Sequence, residues 1–200
     1  MLKSFHTGGS IEAGCDEAGR GCIAGPVFAA AVVLAPDYQN PSLNDSKLLS
    51  ARHRKLLKEV VETESLAYAI GVVDEKEIDS INILNASFLA MHRALDRLKM
   101  QPGHLIIDGN RFTPYEEVPF TCIVKGDGKY ASIAAASILA KTYRDELMSK
   151  LHQEYPQYGW ERNKGYPTRE HRRAVLEYGP SPYHRRSFKL LNDQMELDFS

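Results

Sequence analysis

Ile11-Glu12-Ala13-Gly14-Cys15-Asp16-Glu17-Ala18-Gly19-Arg20-Gly21-Cys22-Ile23-Ala24-Gly25-Pro26-Val27-Phe28-Ala29-Ala30-Ala31-Val32-Val33-Leu34 is the segment from which the fold is read. Ile11 to Glu17 predicts a β-strand that runs into the glycine-punctuated turn Gly19-Arg20-Gly21. Val27 to Leu34 is almost continuously apolar and ends in β-branched residues, as suits a strand buried on both faces in mid-sheet. The chain thus opens on a sheet, and two acids stand where its first strand ends.

Outward from this segment, Pro36 to Ser46 is a loop rich in Pro, Asn, Asp and Ser. Ser50 is a good N-cap for a helix over Ala51 to Glu64. Leu66 to Val73 is a short strand. Ile81, Leu84, Phe88, Met91, Leu95 and Leu98 recur at spacings of three and four, which predicts one buried face of a long helix. His104 to Asp108 is a strand ending on an acid, and Phe120 to Val124 another, ending at Lys125-Gly126-Asp127-Gly128. Ala131 to Tyr155 reads as a second long helix, with Ala134, Ala135 and Ala136 letting it approach the sheet closely. Thr168 caps a helix to Tyr178, and the tail after Gly179 is irregular. Strands come first and then alternate with helices, so the expected class is α/β with a partly parallel sheet. One domain is expected over residues 1–200, a core at 10–155 followed by a basic helical segment at 156–200.

Composition narrows the function classes. With 200 residues, 43% hydrophobic and 26% charged, the chain can bury a core without disulfide or metal staples, and disorder is excluded as its main state. Net charge is -1, so no global basic field marks a nucleic-acid binder. The excess is local: Glu161 to Lys189 holds eight Lys or Arg against three Glu. Cys15, Cys22 and Cys122 form no CxxC pair and read as small core residues. The apolar run Val27 to Pro36 is too short to span a bilayer, and a soluble, cytoplasmic protein is expected.

The chemistry is concentrated at the strand ends. Asp16 and Glu17 end one strand, Asp108 ends another, and Asp127 follows a third. Ligands gather where strands of open α/β sheets end. Clustered carboxylates repel one another unless a cation binds between them, and all-oxygen donors suit Mg²⁺ or Mn²⁺. Such sites handle phosphate esters. Adjacent strand residues point to opposite faces, so Asp16 and Glu17 can share a site only through a local distortion or a backbone carbonyl. Asp145 is a competing acid, although an ion pair on its helix is the simpler reading. Gly19 and Gly21 let a ligand approach the backbone, and Arg20 can fork onto phosphate. Ser46 and Lys47 could touch phosphate or simply form a turn. Tyr166 could present its ring to a sugar or sit in the rim. His171 and His184 read as part of a solvated basic surface.

Taken together these motifs are familiar. Gly14 to Val27 resembles the signature of bacterial ribonuclease HII. Asn44-Asp45-Ser46-Lys47, Ile107-Asp108-Gly109, Val124-Lys125-Gly126-Asp127, the run Ala135 to Lys141, Arg144-Asp145, Lys164-Gly165-Tyr166-Pro167 and His184-Arg185-Arg186-Ser187-Phe188 resemble that family in its order. The resemblance implies the ribonuclease H fold, a five-stranded mixed sheet flanked by helices with a C-terminal helical segment. It implies cleavage of RNA in RNA–DNA hybrids and incision 5′ of ribonucleotides embedded in duplex DNA, leaving 3′-hydroxyl and 5′-phosphate ends. It carries four metal-binding acids onto Asp16, Glu17, Asp108 and Asp127, with two Mn²⁺ or Mg²⁺ ions as cofactor. It assigns Gly19, Arg20 and Gly21 to grip the ribonucleotide, and Tyr166 to pack on the following sugar. Arg162, Lys164, Arg172, Arg173, Arg185 and Arg186 would hold phosphates, giving salt-sensitive binding.

Alternatives remain in view. A non-catalytic nucleic-acid binder would keep the fold without cleavage. A two-carboxylate glycosidase would leave Arg20 and the basic segment unexplained. Ribonuclease HIII usually carries an extra N-terminal domain, whereas some ten residues precede the first strand here. Gln194-Met195-Glu196-Leu197-Asp198-Phe199 faintly resembles a sliding-clamp peptide, and a plain acidic tail is the simpler reading. A monomer is the family expectation.

Overall fold

The computed structural model describes residues 2–7, 10–43 and 50–191. Five strands form one mixed sheet: β1 (Glu12–Ala18), β2 (Val27–Val33), β3 (Ala67–Val73), β4 (His104–Asp108) and β5 (Phe120–Ile123). Their order is β3-β2-β1-β4-β5. β2 lies antiparallel to β1 and β3, whereas β1, β4 and β5 run parallel. The turn between β1 and β2 is short enough for an antiparallel return. The connections into β4 and out of β5 are long, and the helices on them cover the sheet.

The pleat divides the sheet's side chains between two cores. Ala13 and Cys15 of β1, Ala29 and Ala31 of β2, and Leu105 and Ile107 of β4 face α2 (Glu75–Asp96). Ala18, Ala30 and Val32 face the other way, onto α1 (Ala51–Glu64) and α3 (Ala131–Glu154). Every β2 residue is buried, because both of its faces are covered.

Among the described residues, side-chain caps open three of the five α-helices. The Ser50 hydroxyl accepts from the His53 N–H (3.2 Å), and α1 starts at Ala51 as expected. Thr168 does the same for His171 (3.2 Å) at the start of α5 (Arg169–Tyr178). The short α4 (Trp160–Asn163) and the 3-10 turns Gly126–Gly128 and Pro156–Tyr158 have no periodic signature in the sequence.

The long helix α2 departs from expectation. Asp74 caps it with a reciprocal Glu77 contact, but Asn82 breaks its path at φ 65°. The Asn82 carboxamide oxygen accepts from the N–H groups of Leu84 (3.0 Å) and Asn85 (3.1 Å), which is a second N-cap inside the helix. The helical face is reset there. Ala86, Ala90, Met91, Ala94 and Leu95 are buried, while Ile81, Leu84 and Phe88 are only partly covered and Leu98 lies beyond the helix. Phe88 instead meets Phe112 edge-on (centroids 6.0 Å apart), under the loop between β4 and β5.

The C-terminal elements pack on α3 and on the segment between β1 and β2. Met148 and Leu151 meet Tyr158, Trp160, Ala174 and Val175, with Ala24 at the same cluster. Backbone bonds stitch the two parts together: Ile23 N–H to the Gly165 carbonyl (2.9 Å), Gly25 N–H to Tyr183 (2.9 Å) and Arg185 N–H to Ile23 (2.9 Å). The cysteines are free, with Cys15 and Cys22 buried. Among the described residues no helix is long and apolar enough to cross a membrane.

Candidate active site

Parallel pairing of β1 with β4 runs from Glu12 opposite His104 to Cys15 opposite Ile107. The next residues on each strand are Asp16 and Asp108. Both have the parity of the α3 face, so two carboxylates end up side by side where parallel strands stop. β1 continues in register with β2 through Ala18, so no sheet distortion occurs at Asp16-Glu17. β4, however, ends at Asp108. Glu17, of the opposite parity, lies past the end of β4 and lines the same cavity.

The cavity holds about 350 Å³. Asp16, Glu17 and Asp108 line it from the strands, and Ser137 and Lys141 from α3. Gly19, Arg20, Gly21 and Tyr166 also contribute, together with Arg54 of α1. Asp16 is 5% exposed. Burial pushes its carboxyl well above the usual carboxylate range, and the charges of Glu17 and Asp108 push it further. Burial also raises Glu17, against the pull of the adjacent Arg20 guanidinium at 3.0 Å.

The donors at the site are those of a divalent-ion centre. Three carboxyls, with no His or Cys among them, suit a hard cation. One oxygen of each is engaged within the protein: Asp16 Oδ1 accepts from the Glu17 N–H (2.7 Å), Asp108 Oδ1 from the Gly126 N–H (2.7 Å), and Glu17 Oε1 from Arg20. Accordingly, among the described residues no three acidic, His or Cys side chains are arranged to close around an ion. The donor chemistry fits, and release of Arg20 would free both oxygens of Glu17.

The two candidates for a fourth acid lie outside the cavity. Asp127 is 2% exposed in the Gly126–Gly128 turn, next to the Gly126 N–H that binds Asp108. Asp145 is paired with Lys141 (2.6 Å) and Arg54 (3.4 Å), on α3 and α1. Ser46 and Lys47 lie outside the described residues. Tyr166 is 42% exposed at the rim, with Lys141 Nζ 5.6 Å from its ring centroid.

Several basic residues assigned to phosphate are used otherwise. Arg185 is fully buried; its Nε and Nη2 donate to the Gly25 carbonyl (2.9 and 2.7 Å) and its Nη1 to that of Arg20 (3.1 Å). Lys164 Nζ donates to Ser149 Oγ (2.6 Å), and Arg172 to the carbonyls of Lys189 (2.8 Å) and Leu190 (2.6 Å). Arg162 pairs with Glu170. Arg173 and Arg186 stay on the surface. His171 and His184 are not surface residues: they are 0% and 1% exposed. A sequence reading by charge alone puts these side chains outside, because it does not see the carbonyls that receive them.

The burial of Arg144 is not anticipated from the sequence. Fully buried, it donates to the carbonyls of Pro26 (3.0 Å), Lys164 (2.8 Å) and Ala24 (3.0 Å). With Arg185 it clasps the glycine-rich segment from behind. Ser137, Lys141 and Arg144 recur at helical spacing within an apolar run, and that polar stripe was the available signal.

Comparison with known proteins gives the family and the fold. Residues 13–191 match the family model described as Ribonuclease HII. A ribonuclease HII of Bacteroides fragilis is 65% identical over 198 residues, 98% of each chain. Among solved structures, ribonuclease H2 from Pyrococcus horikoshii OT3 superposes with a TM-score of 0.76 at 28% identity, covering 94% of this chain and 98% of that one. Ribonuclease HII of Archaeoglobus fulgidus, solved in complex with PCNA, gives 0.74 at 25% identity, covering 93% and 98%.

Proposed function

The chain belongs to the ribonuclease HII family, nucleases that act on RNA–DNA hybrids, and from that premise we propose that it also nicks duplex DNA 5′ of embedded ribonucleotides. The products would carry 3′-hydroxyl and 5′-phosphate ends. The observation that carries this reading is the pair Asp16 and Asp108 at adjoining strand ends, joined by Glu17 in a cavity rimmed by Gly21 and Tyr166.

Asp16, Glu17 and Asp108 would hold Mg²⁺ or Mn²⁺, with Asp127 of the adjoining turn as fourth acid of a two-ion site. Such ions supply a polarised water and charge stabilisation on the reacting phosphate. The chain's own groups do the rest. Arg20 exchanges Glu17 for a substrate phosphate, which frees the carboxylate. Gly21 presents bare backbone, so the 2′-OH, the one group that marks RNA, can be read without a side chain in the way. Ser46 and Lys47 would contact phosphate, as would Arg54 and Lys141. Tyr166 packs its ring on the sugar that follows and senses the change from RNA to DNA.

The test is an end-labelled DNA duplex with one internal ribonucleotide, incubated with Mg²⁺, Mn²⁺ or EDTA. A single metal-dependent nick on the 5′ side is expected. Cutting only within longer hybrids would remove the junction-reading roles of Gly19, Arg20, Gly21 and Tyr166. Binding to hybrid without metal-dependent cutting would favour the non-catalytic reading.

A sliding-clamp contact is supported by the Archaeoglobus fulgidus relative solved with PCNA. Residues 194–199, which would make it, lie outside the described residues. Clamp pull-down that is unchanged by deleting residues 190–200 would dismiss it. A cytoplasmic monomer, with residues 1–200 working as one domain, completes the reading.

A further inference from the structure

The Tyr166 carbonyl is held by the Thr168 N–H (2.8 Å) and by the ring of buried His171, which in turn meets buried His184. His171 Nδ1 lies 2.9 Å from the Tyr166 carbonyl oxygen. A carbonyl can only accept, so Nδ1 carries the hydrogen. His171 Nε2 is then an acceptor, and it receives the Trp160 Nε1–H at 2.9 Å. His184 Nδ1 accepts the Ser181 N–H at 2.9 Å, which leaves the hydrogen of that ring on Nε2. This Nε2–H points at His171 Nε2, 3.1 Å away. One tautomer of each ring is compatible with all these contacts, with both rings uncharged; the single lone pair of His171 Nε2 is shared by Trp160 and His184, and that of His184 Nδ1 faces both the N–H and the hydroxyl of Ser181. Burial and the nearby Arg172 and Arg186 charges disfavour protonation of the pair.

The pair also spans two substrate-reading elements. His184 bridges to Ala24, its neighbour Arg185 holds the Arg20 carbonyl, and His171 holds that of Tyr166. The Tyr166 ring faces Gly21 across a gap that a single methyl would fill, with Cε1 3.9 Å from a Cβ built there.

We propose that His171 and His184 are positioning residues that fix Tyr166 against the Gly19–Gly21 turn and thereby set how strongly the enzyme distinguishes a lone ribonucleotide from continuous hybrid. This rests on the junction-reading role of Tyr166 given above. An asparagine amide overlays Nδ1 of histidine, and a glutamine amide overlays Nε2. His171→Asn keeps a donor for the Tyr166 carbonyl, whereas His171→Gln does not.

The measured quantity is the ratio of kcat/KM for a single embedded ribonucleotide to that for a uniform hybrid. The ratio is expected to fall about tenfold in His171→Gln and to stay within about threefold of wild type in His171→Asn, since small misplacements of a contacting group are costly. Equal ratios in the two variants would overturn the positioning role, because a merely structural loss lowers both substrates together. Tyr166→Ala separates the two readings. If its ratio equals wild type, the role of Tyr166 itself fails; if it falls while the His171 variants are alike, only the histidine proposal fails. Should the variants not fold, imidazole ¹⁵N spectra of the wild-type chain decide. The Nδ1–H form of His171 and the Nε2–H form of His184, both neutral at pH 7, are expected, and either ring charged or in the other tautomer would overturn the proposal.

Discussion

Asp16 shows how one residue can work against the fold that holds it. Its carboxyl is buried beside Glu17 and Asp108, and both burial and their charges oppose ionisation. Asp16→Asn keeps the shape and removes the charge. In EDTA the variant is expected to melt at or above the wild-type temperature, while Mg²⁺-dependent cleavage drops by more than about 100-fold, as when a transition-state-stabilising group is lost. A wild-type turnover would sink the assignment of Asp16 as a metal ligand. The two glycines of the turn make a second contrast. Gly19 has φ +101°, and a Cβ there would fall 2.1 Å from Arg144 Nε; at Gly21 the nearest atom would be 3.9 Å away. Gly19→Ala is therefore expected to cost about 1–3 kcal/mol of stability in denaturant melts. Gly21→Ala should leave the melt unchanged and reduce nicking about tenfold or more, since its methyl makes only ordinary contact with the Tyr166 ring but stands in the gap proposed for the substrate.

At the scale of elements, α2 is placed by what it lacks. A Cβ at Gly71 of β3 would sit 1.9 Å from the Ala90 carbonyl oxygen, so helix and strand touch backbone to backbone. The alanines at 86, 90 and 94 make that approach possible. Gly71→Ala must push the helix off the sheet, and a loss of about 1–3 kcal/mol is expected by urea unfolding. An unchanged midpoint would mean that α2 is not held this closely. The apolar period of α2 is legible in the chain, but its large residues point to a face centred on Phe88. Asn82 rotates the helix away from that face, and nothing in the periodicity marks an asparagine as a cap rather than a solvated side chain. By contrast, Ser50 and Thr168 are legible because each precedes its helix and acts on the N–H groups three residues on.

At the scale of the whole molecule, Glu75 is a buried group whose charge is felt by residues far away in sequence. It lies at the start of α2, 8% exposed, and its Oε1 has no hydrogen-bond partner. Burial raises its carboxyl to about 7; Asp74 adds to the rise, while Arg185 and Arg144 oppose it. The folded value exceeds the ordinary 4.5, so the folded state holds the proton more tightly than the unfolded one. The resulting stability is full below pH 4.5 and is lost as pH rises through about 7. Relative to Glu75→Gln, the wild type should lose up to about 1.4 kcal/mol per pH unit across that window and nothing more above it. Melts at a series of pH values check this, and a difference that stays constant would show that the Glu75 carboxyl titrates as it does in water.

The sequence by itself determined the strands, most helix starts and the placing of acids at strand ends, because these follow from local periodicity and from caps that act within one turn. It also carried the family's motifs, and with them the roles proposed for Asp16, Glu17, Asp108 and Tyr166. Tertiary structure alone decided which cations and histidines turn inward. Arg144 and Arg185 bind carbonyls 118 and 160 residues away, and His171 meets His184 across a chain reversal. A polar side chain is buried when acceptors meet all its donors, and for these residues the acceptors come from segments that only folding brings near.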